Sequence, residues 1–231
     1  MKNSFKNIKI LLIFLFCFFQ FTIIFGKELN FKASEILTFE EGNLIVGKKD
    51  AEAKIDNELE IYADKFTYDK KKETLLAEGN VKAIDLLNKT IINSEKILYN
   101  KIKNKIISYN KTNFDIDKKY NIESEDVHFL IKKAIISSNK KTKVIDDLNN
   151  KIELSSFRYF DETEILKGKD IKIFDSDSNR YSLKNGMLKL KEYILLGKDI
   201  KVFLRKDSFG NPDNEPKLIG NSIYYKDNKT L

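Results

Sequence analysis

Apolar and polar residues alternate along this chain in short runs that return at a fixed spacing. Ile61, Ala63, Phe66 and Tyr68 stand two, three and two positions apart, and the same steps recur at Ile92, Ser94, Ile97 and Tyr99 and at Ile122, Ser124, Val127 and Phe129. Weaker copies begin at Phe31, Ile152, Ser182 and Leu218, which makes seven. Alternation over about four to eight residues is the period of a half-buried strand, not of a helix. The middle step of three leaves all four residues on one face only if a bulge at Asp64-Lys65, and at matching places in the other copies, resets the period.

A second pattern follows each copy by roughly 15 to 18 residues. It reads Leu44-Ile-Val-Gly47, Leu76-Ala-Glu-Gly79-Asn-Val81, Leu166-Lys-Gly168-Lys-Asp-Ile171 and Leu195-Leu-Gly197-Lys-Asp-Ile200, with Asn110 and Asn139 at the equivalent places of two copies. Glycine and asparagine tolerate positive φ, so a tight turn or bulge is expected there. Each unit of about thirty residues then holds at least two strands. A period of that size marks an array in which no unit buries its apolar face alone. The expected fold is all-β: a repetitive antiparallel sandwich or jelly roll.

The repeats occupy 27–206. Residues 207–217, which hold both prolines, Pro212 and Pro216, read as an inserted loop or junction. Residues 218–231 open a further repeat that breaks off after its first strand, so either that strand caps the sheet edge itself or the sequence is the front part of a longer protein. Ahead of the repeats, Lys2, Lys6 and Lys9 precede an apolar run from Ile10 to Phe25, and Gly26 supplies a small residue before the polar chain resumes. Residues 1–26 thus have the layout of a secretory signal peptide, and the run falls short of the roughly 20 residues that a membrane span prefers. Export to an oxidising compartment is expected.

Beyond residue 26 there is no cysteine, since the single one, Cys17, lies within the leader. The exported chain runs no risk of mispairing and gains no disulfide support, but at roughly 200 residues it can bury a core without either. Loss of the three leader lysines lowers the formal charge from +7 to +4, spread along the chain with only Arg158, Arg180 and Arg205 as arginines. Nucleic-acid binding calls for clustered charge and a reader motif, and neither occurs. The one histidine, His128, alternates with Val127 and Phe129 and so faces solvent. With no cysteine beside it, neither a zinc site nor a nucleophile–histidine mechanism has its parts. Carboxylates cluster at Glu123, Glu125 and Asp126 and at Asp175 and Asp177, on faces and turns that read as solvated. No enzyme activity, metal or cofactor is expected.

The apolar positions carry the remaining signal. Phe66, Tyr68, Ile97, Tyr99, Val127, Phe129, Phe157 and Tyr159 fall at matching places in successive units and form a stripe along the stack. A closed sandwich core and a sandwich open to an apolar ligand bury the same residues, so periodicity does not separate a structural scaffold of the cell envelope from a binding module.

The run Ile61-Tyr-Ala-Asp-Lys-Phe-Thr-Tyr-Asp69, then Thr74-Leu-Leu-Ala-Glu-Gly79-Asn-Val81, then Ile92-Asn-Ser-Glu-Lys-Ile-Leu-Tyr-Asn100 resembles the OstA-like family of lipopolysaccharide transport proteins. Asp207 to Ser222 looks most like the stretch that follows the repeats in the N-terminal periplasmic domain of the LptD type, with the free LptA-type bridge protein second. The resemblance implies a β-jelly roll, or β-taco sandwich, slightly open along one seam, and a non-catalytic periplasmic module that shields lipopolysaccharide acyl chains on their way to the outer membrane. It implies joining to other jelly-roll domains by edge-strand addition and, in a longer protein, association with an outer-membrane β-barrel. The groove lining would be Ile61, Ala63, Phe66, Tyr68, Leu75, Val81, Ile97, Tyr99, Val127, Phe129, Phe157, Tyr159, Ile171 and Phe203. Lys65, Lys96 and Lys169 would stand at its rim, where they could attract lipid phosphates.

Overall fold

In the computed structural model, which describes residues 29–210 and 213–226, every long element is a strand. The leader expected at 1–26, with Cys17, lies outside the described residues, as does Pro212. The strands are β1 (Leu29–Lys32), β2 (Glu35–Phe39), β3 (Leu44–Ile55), β4 (Leu59–Asp69), β5 (Thr74–Asp85), β6 (Thr90–Asn100), β7 (Lys105–Ile116), β8 (Tyr120–Glu125) and β9 (His128–Leu130). They continue as β10 (Ile135–Ser138), β11 (Thr142–Asp146), β12 (Lys151–Leu154), β13 (Ser156–Phe160), β14 (Ile165–Phe174), β15 (Arg180–Lys189), β16 (Ile194–Phe203) and β17 (Lys217–Lys226). Phe203 and Lys217 thus bracket the connection that holds the expected junction. Three single-turn 3-10 segments sit between strands.

All pairings are antiparallel and run from one rung to the next. β3 to β7 form one meander, and β14 to β17 another. Between them each rung is a broken strand: β8 and β9 both pair with β7, β10 pairs with β9 and β11 with β8, and β12 and β13 both pair with β14. β1 and β2 split the first rung in the same way against β3.

The break lies at one level throughout. Register slips between Lys48 and Ala51, Tyr62 and Lys65, Glu78 and Val81, and Ser94 and Lys96, and the split strands part at the corresponding residues. Bulges bend a strand sharply. A column of them makes a fold line that divides the ribbon into two half-sheets facing each other. The bulge expected at Asp64-Lys65 falls where the spacing of Ile61, Ala63, Phe66 and Tyr68 required it.

The thirty-residue spacing becomes lateral alignment. In the first half-sheet, directly paired residues run Phe31, Ala53, Ile61, Ala83, Ile92, Phe114, Ile122, Val144, Ile152, Ile173, Tyr181, Val202 and Leu218. The copy read as starting at Ser182 is thus one residue late, because Tyr181 holds the aligned position. In the second half-sheet the matching row runs from Ile45 through Tyr68, Leu75, Tyr99, Ile106, Phe129, Ile136, Tyr159, Leu166 and Leu188 to Leu195. Both rows, apart from the exposed Leu218 that ends the first, belong to one continuous core. Phe114 meets Phe129 edge to face across it, with ring centroids 6.2 Å apart.

The recurring glycines act differently from the turn expectation. Gly79 does take positive φ, at 78°, as do Asn80 and Asn110 beside the bulge. Gly47, Gly168 and Gly197 do not, and the left-handed residues of those strands are Lys49 and Asp50, Asp170, and Asp199. What these three glycines supply is the absence of a side chain. Phe66 pairs with Gly47 on one side and Ala77 on the other, so Ala77, not Gly79, is the counterpart of Gly47. Along the fold line large and small residues alternate: Gly47, Phe66, Ala77, Ile97, Ser108, then Ser138, Phe157 and Gly168. Gly168, Gly186 and Gly197 then stand side by side, and Leu154, Ile171 and Leu183 of the facing half-sheet press onto them.

Candidate functional site

Of the fourteen expected groove residues, the interior takes thirteen. From Ile61 to Ile171 each is buried, the most open being Ala63 at 9%. They sit in a filled interior, packed against the facing half-sheet. Phe203 does not join them. In β16 the inward residues are Ile200 and Val202, so Phe203 points outward, where its ring lies between the Arg180 guanidinium at 5.1 Å and the Lys217 ammonium at 5.3 Å. The lysines expected at a rim stand at the fold line and do not line the seam cavity. Lys65 and Lys96 share Glu78, at 3.8 and 2.8 Å, and Lys169 is exposed beside Ser156.

The acidic group around Glu123 is likewise external. Glu123 pairs with Lys111 at 3.1 Å and Asp126 with Lys140 at 3.4 Å. His128 lies on the outer face, 3.3 Å from the Lys105 ammonium, and partial desolvation of its ring, followed by that charge, lowers its pKa. Among the described residues no three histidine, cysteine or acidic side chains are grouped to hold a metal.

Opposite the fold line the half-sheets meet at a seam formed by their hairpin turns. In the middle of the array polar contacts cross it. The Asn88 amide donates to the Ile131 carbonyl at 3.3 Å, and fully buried Asp85 holds that asparagine at 2.6 Å while accepting the Leu87 and Asn88 N–H groups. Burial raises the Asp85 pKa, and these donors oppose the rise. Further along, the Tyr120 hydroxyl donates to Glu164 at 2.8 Å, Lys119 approaches the same carboxylate at 3.3 Å, and the Tyr120 and Tyr159 rings pack edge on.

Two seam side chains lack hydrogen-bond partners: the Tyr99 hydroxyl and the Asn104 amide, both buried. A buried polar group left unpaired costs about 1–3 kcal/mol. Tyr99→Phe removes the hydroxyl and keeps the ring, so it is expected to raise the unfolding free energy by about 1 kcal/mol in urea titrations. Tyr159→Phe, which removes a bond to Asp161 at 3.2 Å, should lower it. A loss of stability in Tyr99→Phe would show that the hydroxyl is satisfied in solution.

Beyond Tyr120 the seam opens into a cavity of about 210 Å³. Ile152, Ile173 and Tyr181 line it from one half-sheet, Leu188, Leu195 and Tyr225 from the other, and the Tyr181 and Tyr225 rings face each other with centroids 6.3 Å apart. Two similar turns frame the mouth. Asp146 accepts the N–H groups of Leu148 and Asn150 and the Asn150 amide, and Asp175 accepts both nitrogens of Asn179. The turns are linked in series, because Asn150 accepts the Ser176 N–H and Asn179 accepts the Arg205 N–H. None of these cavity residues stood among the expected lining. The alternation that marks Ile173 and Tyr181 as inward is plain in the sequence, but their distance from the fold line is what makes them line the opening.

No protein-family model matches the chain, and no curated protein does. Among solved structures the chain is similar to LptH of Pseudomonas aeruginosa, described as the LptA-homologous periplasmic component of the conserved lipopolysaccharide transport device. The two are 13% identical over 62% of this chain and 82% of that one, with a TM-score of 0.34.

Proposed function

We propose that this chain is a non-catalytic lipid-binding module of the periplasm that shields the acyl chains of lipopolysaccharide during transport to the outer membrane. The observation that carries this reading is the seam cavity, where core residues such as Ile152, Ile173 and Leu195 are reached from solvent between the polar turns at Asp146 and Asp175. Each methylene kept from water contributes about 0.8 kcal/mol, so even the part of an acyl chain that fits the chamber is stabilised by several kcal/mol. No reacting group is needed for that task. The repeat motif shared with OstA-like proteins supports the same reading. Neighbouring jelly-roll domains would join by strand addition at β1 and β2 or at β17, each of which has a partner strand on one side only among the described residues. In a longer protein the module would lead into an outer-membrane barrel.

A closed envelope scaffold is the second reading, favoured by the tight burial of the thirteen interior residues. Photo-crosslinking amino acids at Tyr181, Leu188 and Leu195 separate the two. Lipopolysaccharide adducts at these positions and not at Lys65 are the expected outcome. Absence of adducts at all three, or equal capture at Lys65, would favour the scaffold.

A further inference from the structure

We propose that the outer face of the second half-sheet docks on an anionic lipid bilayer, its cations on the headgroup phosphates and its apolar row in the interface. This goes beyond the reading of the seam cavity and does not depend on it. The alternation that sends Phe129, Ile136, Tyr159 and Leu166 inward sends their neighbours outward, and cross-strand pairing sets those neighbours in rows. Nearest the seam stand Leu130, Ile135, Phe160 and Ile165, side by side. The middle row runs through His128, Ser137, Arg158, Lys167, Met187 and Leu196 and ends on Tyr224, which is 67% exposed. Beside the fold line stand Ser156, Lys169, Asn185 and Lys198. No acidic residue stands in these rows.

The charge on this face is also unbalanced. Arg158, Lys167, Lys169 and Lys198 are exposed, and among the described residues none of them forms an ion pair. Lys167 lies instead over the Phe160 ring, at 5.4 Å. The outer face of the first half-sheet is built differently: its paired row reads Glu123, Lys143, Glu153 and Lys172, alternating in sign, and Lys151 joins Glu153. Charge there is neutralised in place. On the second half-sheet a concavity of about 650 Å³ lies beside the fold line, walled by Arg158, Lys167 and Lys169 with Ser137, Ser156 and Asn185. Its one carboxylate, Asp126, is held by Lys140 at 3.4 Å. A phosphate entering it meets charged donors from several strands. A soluble polyanion would use these cations and leave Leu130, Ile135 and Ile165 in water. A bilayer interface takes both, with apolar side chains below the headgroups, lysine heads level with them and tyrosine between.

The chain contains no tryptophan, so Phe160→Trp puts a single fluorophore into the apolar row. With the exported chain, its emission should shift to the blue on vesicles of phosphatidylglycerol and phosphatidylcholine in equal parts, and stay unchanged with phosphatidylcholine alone or with inorganic polyphosphate. Sedimentation with the mixed vesicles gives the affinity. The Arg158→Glu, Lys167→Glu, Lys169→Glu triple variant is expected to bind roughly a hundredfold more weakly, since each basic residue at an anionic surface contributes about a factor of five or more. The Lys82→Glu, Lys172→Glu, Lys201→Glu variant makes the same change of charge on the outer face of the first half-sheet, and screening across the sandwich should keep its loss within roughly threefold. All six residues are exposed, and circular dichroism checks that both triple variants fold. Equal losses in the two triple variants, binding without a blue shift, or no binding to the mixed vesicles would each overturn the inference. Lipopolysaccharide capture at Tyr181 and Leu195 is read separately, so either reading can fail while the other stands.

Discussion

Phe114→Ala is expected to lower the unfolding free energy by about 3 to 5 kcal/mol, the range for deleting a buried aromatic ring from a packed core. Phe114 is fully buried, lies midway along the paired row of the first half-sheet, and reaches across to Phe129 of the second. Its loss opens a void where collapse is hardest, because the backbone on both sides is held by paired rungs. Phe203→Ala is the matched control. Its ring lies outside the sandwich against Arg180 and Lys217, and its removal should cost about 1 kcal/mol or less. Urea titrations of both variants check this, with the slope of each transition serving to show that the array still unfolds as one unit. Near-equal costs would mean that the half-sheets do not press on each other around Phe114.

The contrast between these two phenylalanines shows what the sequence discloses. Phe114 and Phe129 are inward because each stands at an even step from other apolar residues within its run, and in Ile61, Ala63, Phe66 and Tyr68 the step of three admits one solution, a bulge. The fold line is that solution repeated. Phe203 stands at the end of a run in which Val202 already holds the inward place, and an aromatic residue at a strand end is favoured on either face. Glycine is ambiguous for a different reason. The letter does not tell whether a position needs positive φ, as at Gly79, or lacks room for a Cβ, as at Gly168. Nor does periodicity say which end of a strand is near the fold line and which is near the seam. Lys65 and Lys96 therefore fit a rim in the sequence and flank the bend in the fold, while Tyr181 and Leu188, which line the opening, carry no sign of it.

The row of glycines gives the second large effect. A Cβ at Gly168 would overlap the Leu154 Cδ2 methyl and approach the Ser156 carbonyl oxygen to 2.9 Å. The methyl can swing aside, but the carbonyl belongs to a paired backbone and cannot. Gly168→Val adds a branched side chain at that point, and overpacking of this kind costs about 1–3 kcal/mol or more. Leu154→Ala alone should also destabilise, by about 2–5 kcal/mol, since it empties the space above the glycine. The two changes share one volume, so the double variant should be more stable than the sum of the separate losses allows, with a coupling of about 1 kcal/mol or more in a double-mutant cycle. Strict additivity would place Leu154 elsewhere and deny that the half-sheets close onto the glycines. At Gly197 a Cβ would overlap the Leu183 Cδ2 methyl and lie 3.1 Å from the Asn185 carbonyl oxygen. Gly197→Val should therefore couple to Leu183→Ala in the same way, with a smaller backbone share. Because Leu183 and Ile171 stand next to the cavity residues Tyr181 and Ile173 on the same faces of β15 and β14, this contact sets how far apart the half-sheets are held where the seam opens. A bulkier residue at either glycine would therefore wedge the half-sheets apart beside the cavity.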